Sequence, residues 1–351
     1  MDKPEDGLPL PLEVSDIDAE WLTSALRFHD PEAEVRSVEI VDLMPGSATK
    51  VRLSVEYGSG TSDLPSSLIV KAGFNALRGL LADLYHNEVI FYRDLAPSAR
   101  IPLPNCYYAG SNPDTGQSLL ILEDLSATAN EFGRIEATLT PEAASEALDL
   151  LAAVHASYWG QTDTSAVAAL KAQPRQPVAE MLTGPENWQR CVELGRFEEL
   201  PTIVHDRQKV SQAILDTLRP TPGPRCLIHG DVHLGNMYFT PEGSPRFLDW
   251  QAASASTWAA DVAYFIVCSL EPEVRRENER HLLSGYLQSL LAHGVEPPTL
   301  DAAWTDYRRH AVWGFLGLLC TPEMQSEEFS RTMGGRFAIA IADLDSLAVS
   351  T

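Results

Sequence analysis

The sequence predicts an α+β protein with two lobes, a small antiparallel sheet with one main helix and a larger, mostly helical lobe. Strand and helix patterns alternate through the first half of the 351 residues. Helical periodicity dominates the second half, apart from one compact strand-rich segment at residues 226–250. A chain of this length can bury enough apolar surface for two domains or one large fold with two lobes.

The composition is that of an ordinary soluble globular protein, with 44% hydrophobic and 21% charged residues. Acidic residues outnumber basic ones 49 to 26, which gives a formal net charge of −23. We therefore expect neither nucleic acid nor an anionic membrane as a partner. This charge would also repel ATP, so a nucleotide site here needs local cations such as a lysine and Mg²⁺. The acidity could favour a cationic substrate, but a solvated acidic surface is the simpler explanation.

The expected compartment is the cytoplasm. The five cysteines are scattered, odd in number and never in a CxxC pair, as is typical of a reducing compartment. The N-terminal residues are acidic and rich in proline, unlike the basic start and apolar run of a signal peptide. No stretch approaches about 20 uninterrupted apolar residues, so we expect no membrane-spanning segment.

The elements of the first lobe follow from periodicity. Apolar residues at helical spacing predict a helix over residues 14–28. Apolar and polar residues alternate from Lys50 to Tyr57, which indicates a half-buried strand. A turn at residues 58–60 and a second apolar run, Leu68–Val70, complete an antiparallel hairpin that ends at Lys71.

A helix from about residue 76 to 96 carries an apolar face that also contains Glu88. A carboxylate on such a face is costly unless it is paired. A strand at residues 119–122 follows, and we place the lobe boundary after it. The prediction is an N-terminal nucleotide-binding lobe over 1–122, a hinge over 123–128 and a helical catalytic lobe over 129–351.

In the second lobe, Thr140 and Pro141 predict the start of a helix that runs to about residue 159. Residues 160–185 contain proline and threonine and are expected to be irregular. Helical patterns resume over 186–218, 259–292 and 300–347. Two short strands, Met237–Phe239 and Arg246–Leu248, flank a turn in the strand-rich segment.

A dense polar loop precedes the first of these two strands, and Asp249 closes the second. The hairpin brings Asn236 near Asp249, and both offer the oxygen ligands that Mg²⁺ prefers. Two protein ligands do not complete the coordination sphere of Mg²⁺. The ion tolerates this when water and substrate phosphates fill the remaining positions. Asp231 is left as the acceptor for a substrate hydroxyl proton, and phosphoryl transfer asks little more of its base.

The string HGDVHLGN, residues 229–236, resembles the catalytic loop HGDxHxxN of the aminoglycoside phosphotransferase and choline kinase superfamily, relatives of protein kinases. The resemblance implies a protein-kinase-like fold and transfer of the γ-phosphate of ATP to a hydroxyl group. It implies that Asp231 is the catalytic carboxylate and that Asn236 and Asp249 bind magnesium. It further implies that Asp261, in ADVAYF, braces the catalytic loop.

The first half agrees with this resemblance. In such kinases a strand lysine contacts the phosphates and pairs with a helix glutamate, which identifies Lys71 and Glu88 as that pair. The segment LILEDL resembles the hinge between the lobes, where backbone groups of Glu123 and Leu125 would hold adenine. Three sequence segments resemble the choline- and ecdysteroid-kinase-like branch of this superfamily: NEVIFYRDLA, LILEDLS and LAAVHASYW.

The sequence departs from the family pattern in two places. The phosphate loop, MPGSATK, has one glycine, Gly46, and its backbone amides from Gly46 through Ser47 to Ala48 are weak candidates to meet phosphate. Trp250 and Gln251 replace the Phe–Gly that usually follows the metal-binding aspartate. A mobile magnesium loop like that of regulated protein kinases is therefore not expected.

Two other functions compete with an ATP-dependent alcohol kinase. A metal-dependent hydrolase would use His229, Asp231 and His233 as ligands, but it leaves the lysine–glutamate pair unexplained. A pseudokinase would bind nucleotide and act by interaction. For His229 we favour a bracing role within the loop, and we expect His155 to be a core residue.

The acceptor itself is open between an amine alcohol, an aminoglycoside, a sugar and a steroid or aryl alcohol. The preference for ATP or GTP and the oligomeric state are equally open.

Overall fold

The computed structural model describes residues 8–58, 64–128, 130–163, 165–171, 175–219 and 223–349. The chain divides into two compact units. The first comprises Met1–Pro97 and Pro102–Asn130, and the second comprises Ser98–Ile101 and Glu131–Thr351. Residues 123–128, which the sequence suggests as a hinge, lie within the first unit.

Five antiparallel strands form the sheet of the first unit: β1 (Val35–Met44), β2 (Thr49–Tyr57), β3 (Ser67–Ala72), β4 (Cys106–Asn112) and β5 (Gln117–Glu123). Their order is β1-β2-β3-β5-β4. The predicted hairpin of β2 and β3 is confirmed, and Val51 lies opposite Val70 in it. Most of its predicted turn, residues 59–60, lies outside the described residues.

Two helices accompany this sheet. The helix α1 (Ala19–Leu26) is shorter than the predicted span of 14–28, because Val14–Asp16 form a separate 3₁₀ turn. Asp18 then caps α1 by accepting the Trp21 N–H at 2.8 Å. The helix α2 (Arg78–Ile90) continues into a π-helical segment, Phe91–Leu95. The main helix expected between residues 76 and 96 is therefore present, with a change of helix type in its last turns.

The second unit begins its helical part with α3 (Pro141–Ser157), whose predicted cap is confirmed. The Thr140 hydroxyl accepts the Ala143 N–H at 3.3 Å. Two short helices follow, α4 (Ser165–Ala168) and α5 (Gln176–Thr183), in the stretch that was expected to be irregular. That expectation was wrong for α5 because its proline lies in the first turn, where a missing N–H costs nothing.

The remaining helices are α6 (Pro185–Glu193), α7 (Arg207–Asp216), α8 (Ala259–Ser269), α9 (Pro272–Ala292), α10 (Leu300–His310), α11 (Leu316–Leu319) and α12 (Glu327–Asp343). All eleven residues of α8 are buried, so this helix runs through the core of the unit. Among the described residues, no helix has both the length and the apolar character that crossing a membrane requires.

Five short strands complete the second unit: β6 (Glu131–Phe132), β7 (Cys226–Ile228), β8 (Met237–Phe239), β9 (Pro245–Phe247) and β10 (Ser254–Ser256). They form a three-stranded sheet in the order β6-β8-β9 and a pair of β10 with β7. The predicted hairpin of β8 and β9 is confirmed, with Met237 opposite Phe247.

A buried histidine ends α10. The Nδ1 of His310 donates to the carbonyl oxygen of Asp306 at 2.8 Å, and its Nε2 has no partner among the described residues. Burial lowers the pKa of His310 to about 4, because a charged imidazole would lose its hydration there.

His310 should make the protein less stable in mild acid. Between pH 6.5 and 4 the unfolded chain takes up a proton at this position and the folded chain does not, so the free energy of unfolding falls as the pH falls. The shift corresponds to about 3 kcal/mol. We expect His310→Asn to lose less stability than the wild type between pH 7.5 and 4.5, as measured by urea denaturation. The exposed His281→Asn is the control, and an unchanged pH dependence in His310→Asn would contradict the assignment.

Candidate functional site

The first unit buries a lysine beside a carboxylate. Lys71 on β3 and Glu88 on α2 are only 5% and 3% exposed. The lysine Nζ lies 2.7 Å from Oε2 and 2.8 Å from Oε1 of the glutamate. The predicted pairing is confirmed, and it explains how an apolar helix face accommodates a carboxylate, since each charge offsets the desolvation of the other.

The loop between β1 and β2 lies close to this ion pair. Ala48 and Tyr85 line the same small cavity as Lys71 and Glu88. The Tyr85 hydroxyl donates to the Ser47 carbonyl oxygen. The Asn75 amide donates to the carbonyl oxygens of Gly46 at 3.3 Å and Ser47 at 3.0 Å. Side-chain donors therefore fix a loop that has a single glycine.

Of the two residues expected to bind adenine, Glu123 ends β5 and Leu125 begins the 3₁₀ turn that follows it. The Glu123 N–H donates to the Asn105 carbonyl oxygen at 2.9 Å. The Leu125 carbonyl oxygen accepts from the Thr128 hydroxyl and the Asn130 amide, both at 3.0 Å. These two backbone groups already have intramolecular partners in the first unit.

In the second unit, the loop of residues 229–236 is anchored to a buried carboxylate. Asp261 on α8 is 0% exposed and accepts the backbone N–H groups of His229 at 2.7 Å and Gly230 at 2.8 Å. Burial alone would raise the pKa of Asp261, but hydrogen bonds and the charge of neighbouring groups, His155 above all, hold it below its ordinary value. These are the contacts expected of a residue that braces the loop.

His155 extends this anchor. It is buried, as predicted, and it lies 3.2 Å from the Asp261 carboxylate through Nε2. Its Nδ1 lies 2.7 Å from the Tyr286 hydroxyl. Since a carboxylate accepts, the imidazole donates through Nε2, and its Nδ1 shares a hydrogen bond with the tyrosine hydroxyl. The sequence indicated a core position but not these polar partners.

His229 uses both ring nitrogens inside the loop. Its Nε2 donates to the Leu248 carbonyl oxygen at 2.8 Å, and its Nδ1 accepts the Asp231 N–H at 3.2 Å. Burial lowers the pKa of His229, which suits this neutral tautomer. A metal ligand needs a ring nitrogen of its own, so these contacts count against the hydrolase hypothesis. Within the described ranges, no group of three or more His, Cys, Asp or Glu residues could hold a metal ion.

The Asp231 side chain is 32% exposed, and each of its carboxylate oxygens accepts a hydrogen bond. The Tyr264 hydroxyl donates to Oδ1 at 3.1 Å, and the Asn236 amide donates to Oδ2 at 3.1 Å. The Nε2 of His233 lies 3.7 Å from Oδ2. Sequence reasoning missed Tyr264, although the quoted motif ADVAYF contains it and its position three residues after Asp261 places it on the same helix face.

Asn236 and Asp249 provide oxygen atoms suited to a cation. The Asn236 amide nitrogen uses both hydrogens on Asp231, with the second bond reaching its carbonyl oxygen at 2.9 Å. The amide oxygen of Asn236 is thereby left as a ligand atom. The Leu248 N–H donates to the Asn236 carbonyl oxygen at 2.8 Å, which fixes the residue directly before Asp249. An amide oxygen and a carboxylate fit Mg²⁺.

Two residues in this part of the chain, Asp249 and Gly230, have a left-handed backbone conformation. Asp249 has φ 63° and ψ 69°, a left-handed conformation that costs a residue with a side chain about 1–3 kcal/mol. Gly230 has φ +85°, and a Cβ atom there would lie 2.4 Å from the Ala252 carbonyl oxygen.

Arg175, which no sequence pattern indicated, donates to the Gly230 carbonyl oxygen at 2.8 Å and stacks on Trp313.

The sequence matches the model of the ecdysteroid kinase-like family over residues 47–295, more than two thirds of the chain. No curated protein matches it significantly.

Three solved structures illustrate the fold. Choline kinase from Cryptosporidium parvum Iowa II has a TM-score of 0.55 at 12% identity, over 89% of this chain and 90% of that chain. Spectinomycin phosphotransferase in complex with ADP and spectinomycin has 0.53 at 12%, over 94% and 99%. An aminoglycoside phosphotransferase in complex with GDP and kanamycin has 0.51 at 16%, over 93% and 98%. These similarities confirm the expected protein-kinase-like fold.

Gly230 should be essential to the conformation of the loop of residues 229–236. We expect Gly230→Ala to lose about 1–2 kcal/mol from the left-handed backbone, and about 1–3 kcal/mol more from the clash with Ala252. Gly243 is a matched control, because it has φ +84° but open space where its Cβ would lie. Urea denaturation of both variants checks this difference. Equal losses in the two variants would contradict a close-packed role for Gly230.

Proposed function

The chain belongs to the ecdysteroid kinase-like family, and on this premise we propose that it is an ATP-dependent small-molecule kinase that transfers the γ-phosphate to a substrate hydroxyl. The observation that carries the proposal is the partly exposed Asp231 carboxylate, which two donors hold on a loop anchored to buried Asp261. Such a carboxylate is suited to accept a hydrogen bond from an alcohol.

In the proposed reaction, Asp231 accepts the hydrogen bond of the acceptor hydroxyl and orients its oxygen in line with the γ-phosphorus. The new P–O bond forms as the bond to the bridging oxygen of ADP breaks, and the hydroxyl proton passes to Asp231. Phosphoryl transfer of this kind depends mainly on positioning and on charge neutralisation. The partial exposure of Asp231 gives an acceptor access to the carboxylate.

Asn236 and Asp249 would hold Mg²⁺, which supplies neutralisation of phosphate charge when bound. Lys71 would neutralise a further part of the phosphate charge, and Glu88 would fix the direction of the lysine side chain. Backbone amides of Gly46 and Ser47 are proposed to meet phosphate. Backbone groups of Glu123 and Leu125 are proposed to hold adenine, other than the Glu123 N–H and the Leu125 carbonyl, which have intramolecular partners.

The acceptor is proposed to be a small molecule with a hydroxyl group. Among the structural neighbours, one is a choline kinase, one is bound to kanamycin and one is bound to spectinomycin. The pseudokinase alternative has less support, because the chain contains the carboxylate, the amide and the lysine that the chemistry requires.

Asp231→Asn should keep the affinity for MgATP within a few-fold and remove most turnover, by roughly 10²–10⁴-fold. The amide also places a donor where the site needs two acceptors, since Tyr264 and Asn236 both donate to this side chain. The measurement is coupled ADP release with MgATP against choline, ethanolamine, aminoglycosides, sugars, and steroid and aryl alcohols.

A hit that disappears in Asp231→Asn would support the kinase and identify its acceptor class. An active Asp231→Asn enzyme would show that Asp231 is not the catalytic carboxylate. Wild-type protein that binds MgATP but is silent across the panel would favour the pseudokinase. Wild-type protein that binds no nucleotide would overturn the proposal.

Lys71→Ala should weaken nucleotide binding roughly 10–100-fold, because a charge-assisted contact contributes about 1.5–3 kcal/mol. The variant also leaves Glu88 buried without its cation, so we add Lys71→Met combined with Glu88→Gln, which removes both charges. Calorimetric titration with MgATP gives Kd for each variant, and the exposed Lys209→Ala is the control. A folded double variant that binds MgATP like the wild type would refute the role of Lys71.

A further inference from the structure

Tyr264 is a buried tyrosine whose hydroxyl reaches the proposed catalytic carboxylate. The residue is 6% exposed on α8, and its hydroxyl lies 3.1 Å from Oδ1 of Asp231. The ionised carboxylate can only accept, so the phenol is the donor. Burial, followed by the charge of Asp231, raises the pKa of Tyr264 well above its ordinary value, so the phenol keeps its proton.

A carboxylate with one hydrogen bond can still turn about its last torsion, because that torsion has a broad minimum. Asp231 is held at both oxygens, by Tyr264 at Oδ1 and by Asn236 at Oδ2. Each oxygen accepts about two hydrogen bonds, so each keeps capacity for a substrate hydroxyl. With the tyrosine donor removed, only the Asn236 side of the carboxylate stays fixed, and water can reach the other oxygen.

The donor is itself held rigidly. Tyr264 lies one helical turn beyond Asp261, and all residues of α8 are buried. Its ring centroid lies 5.4 Å from that of Phe337 and 6.4 Å from that of His233. One helix thus holds the backbone of the catalytic loop through Asp261 and the side chain of Asp231 through Tyr264.

We propose that Tyr264 is a positioning residue, which fixes the orientation of the Asp231 carboxylate for the acceptor hydroxyl. This inference rests on the proposed kinase function. A purely structural tyrosine would contribute to folding without a selective effect on turnover. A positioning tyrosine lowers kcat when its hydroxyl is removed and leaves the KM for MgATP unchanged.

The test compares Tyr264→Phe with Tyr307→Phe. Tyr307 is also buried and also donates to a carboxylate, that of Glu279 at 2.8 Å, between α10 and α9. The two variants therefore lose the same atom from similar surroundings. ADP release is measured with the panel acceptors and with water as acceptor, beside wild type and Asp231→Asn. Urea denaturation gives the stability of each variant.

We expect Tyr264→Phe to lower kcat about 10–100-fold, with the KM for MgATP within about twofold of the wild type. Tyr307→Phe should keep kcat within about twofold. A 3-fluorotyrosine at position 264 retains the ring and the donor, so it should restore kcat to near the wild-type value.

Equal kcat in Tyr264→Phe and wild type, while Asp231→Asn is inactive, would overturn the role of Tyr264 and leave the kinase proposal standing. A fluorotyrosine variant as slow as Tyr264→Phe would also overturn it. An active Asp231→Asn enzyme, or a wild type silent with every acceptor and with water, would instead overturn the proposed function and this inference with it.

Discussion

The candidate site of the second unit depends on one interaction, the burial of the Asp261 carboxylate beneath the loop of residues 229–236. A fully buried charge is tolerated only when donors replace its lost hydration. Two of those donors are consecutive backbone N–H groups, those of His229 and Gly230, so satisfying the carboxylate sets the path of the loop. The left-handed conformation at Gly230 and the position of Asp231 follow from that path. His155 and Tyr286 complete the network and tie α3 and α9 to the same carboxylate.

The first unit also contains buried charge that must be compensated. Lys71 and Glu88 neutralise each other at under 6% exposure, so a cation is held in a fixed direction on β3. Buried ion pairs of this kind contribute little net stability compared with apolar residues of the same size. Their benefit is a charge whose position varies little, which is what a phosphate-binding site requires. In the proposed kinase, burial of this ion pair therefore fixes the position of the lysine charge and adds little to the stability of the fold.

Asp231 combines partial exposure with a fixed orientation. A fully buried carboxylate would be closed to an acceptor, and a fully exposed one would be free to rotate. Donors from Tyr264 and Asn236 reach its two oxygens while 32% of the side chain stays exposed. Asn236 also links this carboxylate to the proposed magnesium ligands, because its nitrogen faces Asp231 and its oxygen remains for a cation. Rigid elements thus supply the geometry, and the loop supplies the functional groups.

The sequence alone determined the features that depend on neighbouring residues. The hairpin of β2 and β3 was predicted from a period of two residues, and the cap at Thr140 from the residue preferences of a helix start. The pairing of Lys71 with Glu88 followed from the family resemblance, together with the helical period that places Glu88 on an apolar face. Only the tertiary structure revealed Tyr264 and Arg175 beside the loop of residues 229–236, the polar partners of His155 and the strained backbone of Asp249. The contact of His155 with Asp261 joins residues 106 positions apart, and that of Tyr264 with Asp231 spans 33. Such distant contacts are set by how whole helices pack, which local patterns do not encode.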